Sequence, residues 1–268
     1  MAKSTPSIDD RNVLPEERQE RILARLRNEG RVVAAELAEA FEVSEDSIRR
    51  DLRELAAQGL CKRVYGGALL PAVTLTPLKQ RRVEHQPRKQ ALARKAVSLV
   101  KPGQTLLIDA GTTNVAIAAA LPIGLGLSVI TNAPHIAQLL LDRDDFDVLL
   151  IGGRISRSIG GVIGAQAVEQ VRRVRADLCF PGTCAIDVAH GLWGFDSEEA
   201  LFKRAMIEAS DETVVVATDD KLEAVATHQV VELVRVQHLV VEHSADRATR
   251  SAFSKHGVMV HRAEAVAG

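Results

Sequence analysis

The stretch LLIDAGTTNVAIAAALP (residues 106–122) decides how the larger part of the chain folds. A short apolar run ends at Ile108, a turn containing Asp109, Gly111, Thr112 and Thr113 follows, and an alanine-rich run leads on to Leu121. That order reads as a strand handing over to a helix. The runs TLLIDA, LSVIT, DVLLIGG, ADLCFPG, TVVVAT and HLVVE are strand-like in the same way, and helical stretches near 113–121, 133–141, 165–174 and 197–210 alternate with them. The alternation predicts an α/β domain around a mostly parallel sheet buried on both faces.

Upstream the pattern changes. From Pro15 to Gly30, residues Ile22, Leu23 and Leu26 share one helical face, with Pro15 in the first turn and Gly30 as a stop. VAAELAEAF (33–41) reads as a short second helix and SEDSIRRDLRELAAQGL (44–60) as a third. In the third, Ser44 is a ready N-cap, Ile48, Leu52 and Leu55 form an apolar stripe, and Gly59 ends it. LCKRVYGGALL (60–70) then alternates into Gly66-Gly67, a pair suited to a tight hairpin turn. The whole predicts a small winged helix-turn-helix DNA-binding domain over 15–70. A linker comes next at 71–86, marked by Pro71 and Pro77, then an α/β domain at 87–245, opened by a helix at 87–100 and the natural place for self-association, and a C-terminal segment at 246–268.

Charge is distributed unevenly. The formal net charge of the 268 residues is -1, yet residues 47–95 hold twelve Lys or Arg against three acids, and acidic excesses on both sides of this window, in residues 1–46 and 96–268, hide this. Nothing at the N-terminus resembles a secretory signal and no apolar run is long enough for a membrane span, so a cytoplasmic location and no membrane partner are expected. Cys61, Cys179 and Cys184 are scattered, which argues against a disulfide framework. The eight histidines show no metal-binding spacing, so no metal is expected. GLGLSV (124–129) precedes a strand, the wrong order for a dinucleotide fingerprint, and no cofactor is expected.

A recognition helix needs side chains that reach base edges and cations that meet phosphate. Ser44, Ser47, Arg49, Arg50 and Arg53 occupy those positions on the third helix, with Ser47, Arg50 and Arg53 on one face. Lys62 and Arg63 in the wing would track the backbone, and Tyr65 lies near its turn.

In RQERILARLRNEGRVVAAELAEAFEVSEDSIRRDLRELAAQGLCKRVYGGAL (18–69) the chain resembles the winged helix-turn-helix of the DeoR family of bacterial transcription regulators. The similarity continues in LARKAVSLVKPGQTLLIDAGTT, VITNAPHIAQLL, VLLIGG and SEEALFKRAMIEAS, the family's sensor domain. The resemblance implies a sensor related to ribose-5-phosphate isomerase that detects a phosphorylated sugar or sugar derivative. A phosphate is held well by backbone N–H groups at a helix N-terminus beside glycine and small hydroxyls, and ligands of open α/β sheets lie beyond the carboxyl ends of the strands. The expected effector residues are therefore Asp109, Gly111, Thr112 and Thr113, then Thr131 and Asn132, Gly152 and Gly153, and Gly182 and Asp187, with Glu198, Lys203 and Lys221. Two readings stay open for the helix at 197–210. Glu199 and Lys203 are spaced for a surface ion pair, and Asp196 with Glu199 for a capping box, whereas the resemblance puts the acidic pair and Lys203 near the effector. Where relatives usually show ADSSKFG the chain has ATDDKLEA, and where GADGID is common it has GTCAID, with Cys184 in place of an acid.

Taken together the sequence predicts a DNA-binding regulator, a repressor of carbohydrate-metabolism genes controlled by a phosphorylated metabolite, not an enzyme, acting on operator DNA as a homo-oligomer, dimer or tetramer. The alternative is a sugar-phosphate isomerase-like enzyme fused to a DNA-binding module, with Asp109, Asp187 and Glu198 available as bases. A third reading makes the α/β domain an oligomerisation platform only.

Overall fold

The computed structural model describes residues 14–29, 31–58, 60–69 and 77–266. Gly30 and Gly59, expected as helix stops, residues 71–76 of the expected linker and the side chain of Lys62 lie outside the described residues. The chain forms two compact units, Met1–Thr74 and Leu75–Gly268.

The first unit runs α1 (Pro15–Glu29), β1 (Arg31–Val33), α2 (Ala34–Ala40), α3 (Glu45–Ala57), β2 (Lys62–Val64) and β3 (Gly67–Leu69). Ile22 and Leu26 of α1, Leu37 of α2 and Ile48, Leu52 and Leu55 of α3 close a small core over Val32 and Ala68. Ser44 caps α3, its hydroxyl accepting from the Ser47 N–H at 3.2 Å. Beneath the helices Arg18 Nε donates to Asp51 Oδ2 at 2.6 Å, a buried pair that ties α1 to α3.

The wing differs from its expectation in two ways. Val64 pairs with Gly67, so the turn is Tyr65-Gly66, with Gly66 at φ 82°. Gly67 answers a different demand: a Cβ there would lie 2.0 Å from the Val32 carbonyl oxygen, because β3 is flanked on its other side by β1. Among the described residues the sheet thus has three strands, β1-β3-β2. The three-residue β1, with a single buried side chain, is too short to leave an alternation in the sequence.

The second unit opens with α4 (Leu78–Val83), so the expected linker 71–86 contains a helix and the unit starts earlier than residue 87. It continues through α5 (Gln86–Val97), β4 (Thr105–Ile108), α6 (Thr112–Ala120), β5 (Leu127–Thr131), α7 (Pro134–Leu141), β6 (Phe146–Leu150), the small hairpin β7 (Ile155–Ser156) and β8 (Gly161–Val162), and α8 (Ala165–Val171). Then come β9 (Ala176–Phe180), β10 (Ala185–Asp187), β11 (Gly191–Gly194), α9 (Ser197–Glu208), β12 (Ser210–Ala217), β13 (His228–Val231), β14 (His238–Val241), α10 (Arg247–Lys255) and β15 (Met259–Arg262).

Seven strands form one parallel sheet in the order β15-β14-β12-β9-β4-β5-β6, and β10-β11-β13 form a separate antiparallel one. The central strands are continuous apolar runs such as Leu106, Leu107 and Ile108, fully buried, as a sheet covered on both faces requires. The expected C-terminal segment 246–268 is not an appendage: α10 buries Phe253, and β15 pairs with β14 as the edge of the sheet. Strand order decides where a ligand can enter. From β4 the chain moves outward through β5 to β6, then returns to the other side of β4 for β9, β12, β14 and β15. The switch point between β4 and β9 opens a crevice at their carboxyl ends.

Candidate functional site

In the first unit, α3 presents Ser47, Arg49, Arg50 and Arg53 along its solvent side, while Ile48, Leu52 and Leu55 point into the core. Arg49 pairs with Glu45 at 2.6 Å and Asp46 at 3.2 Å, and Arg50 with Glu54 at 3.3 Å. These exposed pairs are weak and leave the guanidinium groups open to solvent. Arg63 is exposed on β2, and Tyr65 stands out fully from the tip of the wing.

In the second unit, a cavity of about 50 Å³ lies at the switch point. Its walls come from the turn after β4 (Ala110 to Asn114), the turn after β9 (Gly182, Thr183 and Cys184), Glu199 and Lys203 of α9, Val216 near the end of β12 with Lys221 in the helical turn that follows it, and Arg81 of α4. Gly111 is the N-cap of α6 at φ 153°, a conformation that only glycine adopts readily, and a Cβ there would meet nothing within 4 Å. The turn thus needs glycine for its backbone path, and it aims the N–H groups of the first turn of α6, which have no intrahelical partners, toward the crevice. Gly182 is needed for close approach instead, since a Cβ would stand 2.7 Å from the Ala110 carbonyl oxygen.

Behind the cavity Asp109 knits three strands together. Its Oδ1 accepts from the Ala110 N–H at 2.7 Å and from Asn132 Nδ2 at 3.1 Å, and its Oδ2 accepts from the Gly182 N–H at 2.8 Å. Burial pushes its carboxyl above the ordinary value, against the pull of Lys203 3.9 Å away and of these hydrogen bonds. Lys203 is 1% exposed; its Nζ donates to Glu199 Oε1 at 2.6 Å and lies 3.6 Å from Cys184 Sγ. Burial opposes its charge, but the acidic side chains of Glu199 and Asp109 outweigh that and hold its ammonium above the ordinary value. Burial also holds the Lys221 ammonium down and pushes the Cys184 thiol up. Two polar atoms of the cavity walls, Glu199 Oε2 and Thr183 Oγ1, are buried with no hydrogen-bond partner.

Residues 84–243 match the DeoR C-terminal sensor domain and residues 18–74 the DeoR-like helix-turn-helix domain. The chain belongs to the DeoR family. It is 37% identical over 206 residues to the glycerol-3-phosphate regulon repressor of Escherichia coli, covering 76% of this chain and 82% of that one. It is 30% identical over 257 residues to the HTH-type transcriptional regulator GolR of Listeria innocua, covering 94% of this chain and all of the other. Among solved structures, ribose 5-phosphate isomerase A from Neisseria gonorrhoeae aligns at 18% identity and a TM-score of 0.36, over 50% of this chain and 52% of that one. The protein is a DNA-binding transcription regulator with a C-terminal sensor domain. Among the described residues, no helix is long and apolar enough to cross a membrane.

Of the effector residues expected for this DeoR-family regulator, the structure brings Gly111, Thr112, Thr113, Gly182, Lys203 and Lys221 together around the cavity. The others fall elsewhere. Asp109 and Asn132 sit behind the wall, occupied with each other and with backbone groups, and Thr131 spends its hydroxyl on the Ile108 carbonyl at 2.7 Å. Gly152 and Gly153 line a different cleft with Gln166, Glu169, Gln170 and Arg173, because β6 lies two strands from the switch point. Asp187 accepts from the His190 backbone N–H and closes the turn between β10 and β11. Glu198 is exposed and lies 3.6 Å from Arg154.

The neighbouring acid, Glu199, is the one that reaches the cavity. Asp196 does cap α9, accepting from the Glu199 N–H at 2.9 Å, but the Glu199 side chain turns to Lys203 instead of completing a capping box. Nor is this a surface pair, since both side chains are buried. Sequence reasoning missed Arg81, which belonged to the basic run but was assigned to a linker, and Cys184 as a cavity residue. The Asn114 side chain donates to the Asp109 and Phe180 carbonyls, both at 2.9 Å, and so fixes the start of α6 against β9.

Proposed function

We propose that this DeoR-family regulator is an operator-binding repressor of carbohydrate-metabolism genes, released or recruited by a phosphorylated sugar or polyol bound in the switch-point cavity. The observation that carries the reading is the convergence of Arg81, Lys203 and Lys221 with the amino end of α6 on one small space. Helix N–H groups and cations in a desolvated setting favour a phosphate group. Lys221 is disfavoured as a cation by burial, and an arriving phosphate would reverse that penalty. Glu199 Oε2 and Thr183 Oγ1 are acceptors left over for the hydroxyls of the same molecule, since buried acceptors without donors are costly. The name of the Escherichia coli relative, a glycerol-3-phosphate regulon repressor, supports a phosphorylated effector. Cys184 stands where relatives usually carry an acid, and as a neutral thiol it removes one negative charge from the cavity wall.

The isomerase reading is not favoured. Asp109 has both oxygens engaged, Asp187 is held by its own hairpin and Glu198 faces solvent, so none of the three expected bases is placed to take a proton from a ligand in the cavity. We assign the DNA contacts to Ser44, Ser47, Arg49, Arg50, Arg53, Lys62, Arg63 and Tyr65. Two symmetric half-sites call for at least a dimer.

A thermal-shift panel tests the effector assignment. A phosphorylated sugar or polyol at 100 times its dissociation constant adds about 2.7 kcal/mol, which for a protein of this size is roughly 5–10 °C in Tm. The expected result is that shift for at least one phosphate ester, absent for its parent alcohol. Equal shifts for ester and alcohol, or none for any ester, would remove the phosphate site and favour the bare oligomerisation platform.

A further inference from the structure

We propose that the edge strand β6 is where two copies of this chain meet, paired antiparallel across a two-fold axis so that their two parallel sheets become one. The proposal rests on the reading of the regulator as an oligomer, and it names the surface. Strand β6 ends the sheet order, so one side of its backbone has no strand partner among the described residues. Sheet edges that face water are normally shortened, charged or covered, because an open apolar edge invites another strand. The carboxyl half of this one is apolar: Leu149 and Leu150 are 47% and 44% exposed, and Leu141, at the end of the preceding helix, is 73% exposed.

Charge selects the partner and its direction. The exposed acids Asp142 and Asp144 precede β6 and Asp147 is its second residue, and the chain leaving it carries the exposed bases Arg157 and Arg154, the latter 3.6 Å from Glu198. Antiparallel pairing of β6 with its own copy sets the acidic end of each strand beside the basic end of the other, twice per interface. Parallel pairing would set like against like. Adding β6 to the opposite edge, β15 of a neighbour, would be head-to-tail and open-ended, whereas the two-fold pairing closes on itself.

Two doubly substituted full-length chains test this by light scattering after gel filtration. One carries Asp144→Lys with Asp147→Lys and the other Arg154→Glu with Arg157→Glu; all four positions are exposed and none lines the effector cavity. The wild-type mass is expected at twice 29.0 kDa or a higher even multiple. Each variant alone is expected to fall to half the wild-type mass, because its own two ends now repel. An equimolar mixture is expected to recover the wild-type mass, because each reversed end then meets its complement; a variant that merely failed to fold would not recover. Either variant keeping the wild-type mass alone, or a mixture remaining at half mass, overturns β6 as the interface while leaving the oligomer reading in place. A wild-type chain that runs as a monomer overturns both.

Discussion

Replacing Lys203 with methionine is expected to cost about 3–5 kcal/mol of folding stability, the range found when one partner of a buried ion pair is removed. Lys203 is the buried cation between Glu199 at 2.6 Å and Asp109 at 3.9 Å, and methionine fills its volume without its charge. Two carboxylates would then share a buried space with no counterion. The pH dependence carries the signature. Burial holds Asp109 above 3.8, so from 3.8 upward to that raised value the folded chain binds the proton better than the unfolded one, and the contribution of this group to stability falls as pH rises. Lys203 limits that fall by favouring the ionised form. Its removal steepens it, so the deficit of the variant is expected to be smallest in acid and to grow toward neutral pH. Urea denaturation at about pH 5 and about pH 8 reads both effects. A loss below about 1 kcal/mol at either pH would be the behaviour of an exposed pair and would contradict this account of α9.

Arg50→Ala is expected to weaken operator binding by about 1–3 kcal/mol, roughly 5- to 150-fold, and to relax selectivity at one base position. Its side chain is on the solvent face of α3, less than two turns from the capped end, and pairs with the exposed Glu54 at 3.3 Å. Stability should change by no more than about 0.5 kcal/mol for such a surface site. Footprinting on the upstream region, with a scrambled duplex as control, separates a base contact from a phosphate contact. A uniform loss on both duplexes would move Arg50 to the backbone-contacting set, and no loss on either would remove α3 from the role of recognition helix.

The parts of the fold that could be read in advance were those with strong periodicity. The apolar runs at Leu106 to Ile108 and Thr213 to Ala217 became central parallel strands, and Ile48, Leu52 and Leu55 became the buried stripe of α3. The parts missed carry weak local signals. In α10 only Phe253 is buried among the helical residues, so its sequence reads as polar, and β15 is recognisable as a strand only through its neighbour β14.

The switch-point cavity was legible where glycine and threonine mark a turn and illegible where topology decides. GlyGly at 152–153 and GlyThr at 182–183 look equivalent as strand ends, yet only β9 adjoins β4 at the switch point. Glu198 and Glu199 are adjacent in sequence but about 100° apart around α9, and helix rotation alone makes the first a surface residue and the second a wall of the cavity. An i,i+4 acid and lysine carry no mark of burial, so the Glu199 and Lys203 pair had the same appearance as a solvated one.

The central claim is that a phosphate group on α6 controls DNA binding, and operator occupancy measured against a rising concentration of the phosphate ester that stabilises the protein tests it most directly. The comparison is between wild type and the double variant Thr112→Ala with Thr113→Ala, which alters the first turn of α6 and leaves α3 untouched. The account predicts equal operator affinity for the two proteins without the ester, a shift of about fivefold or more in the wild type, on the order of the usual coupling between sites, and none in the variant. A variant that responds to the ester as the wild type does would contradict it.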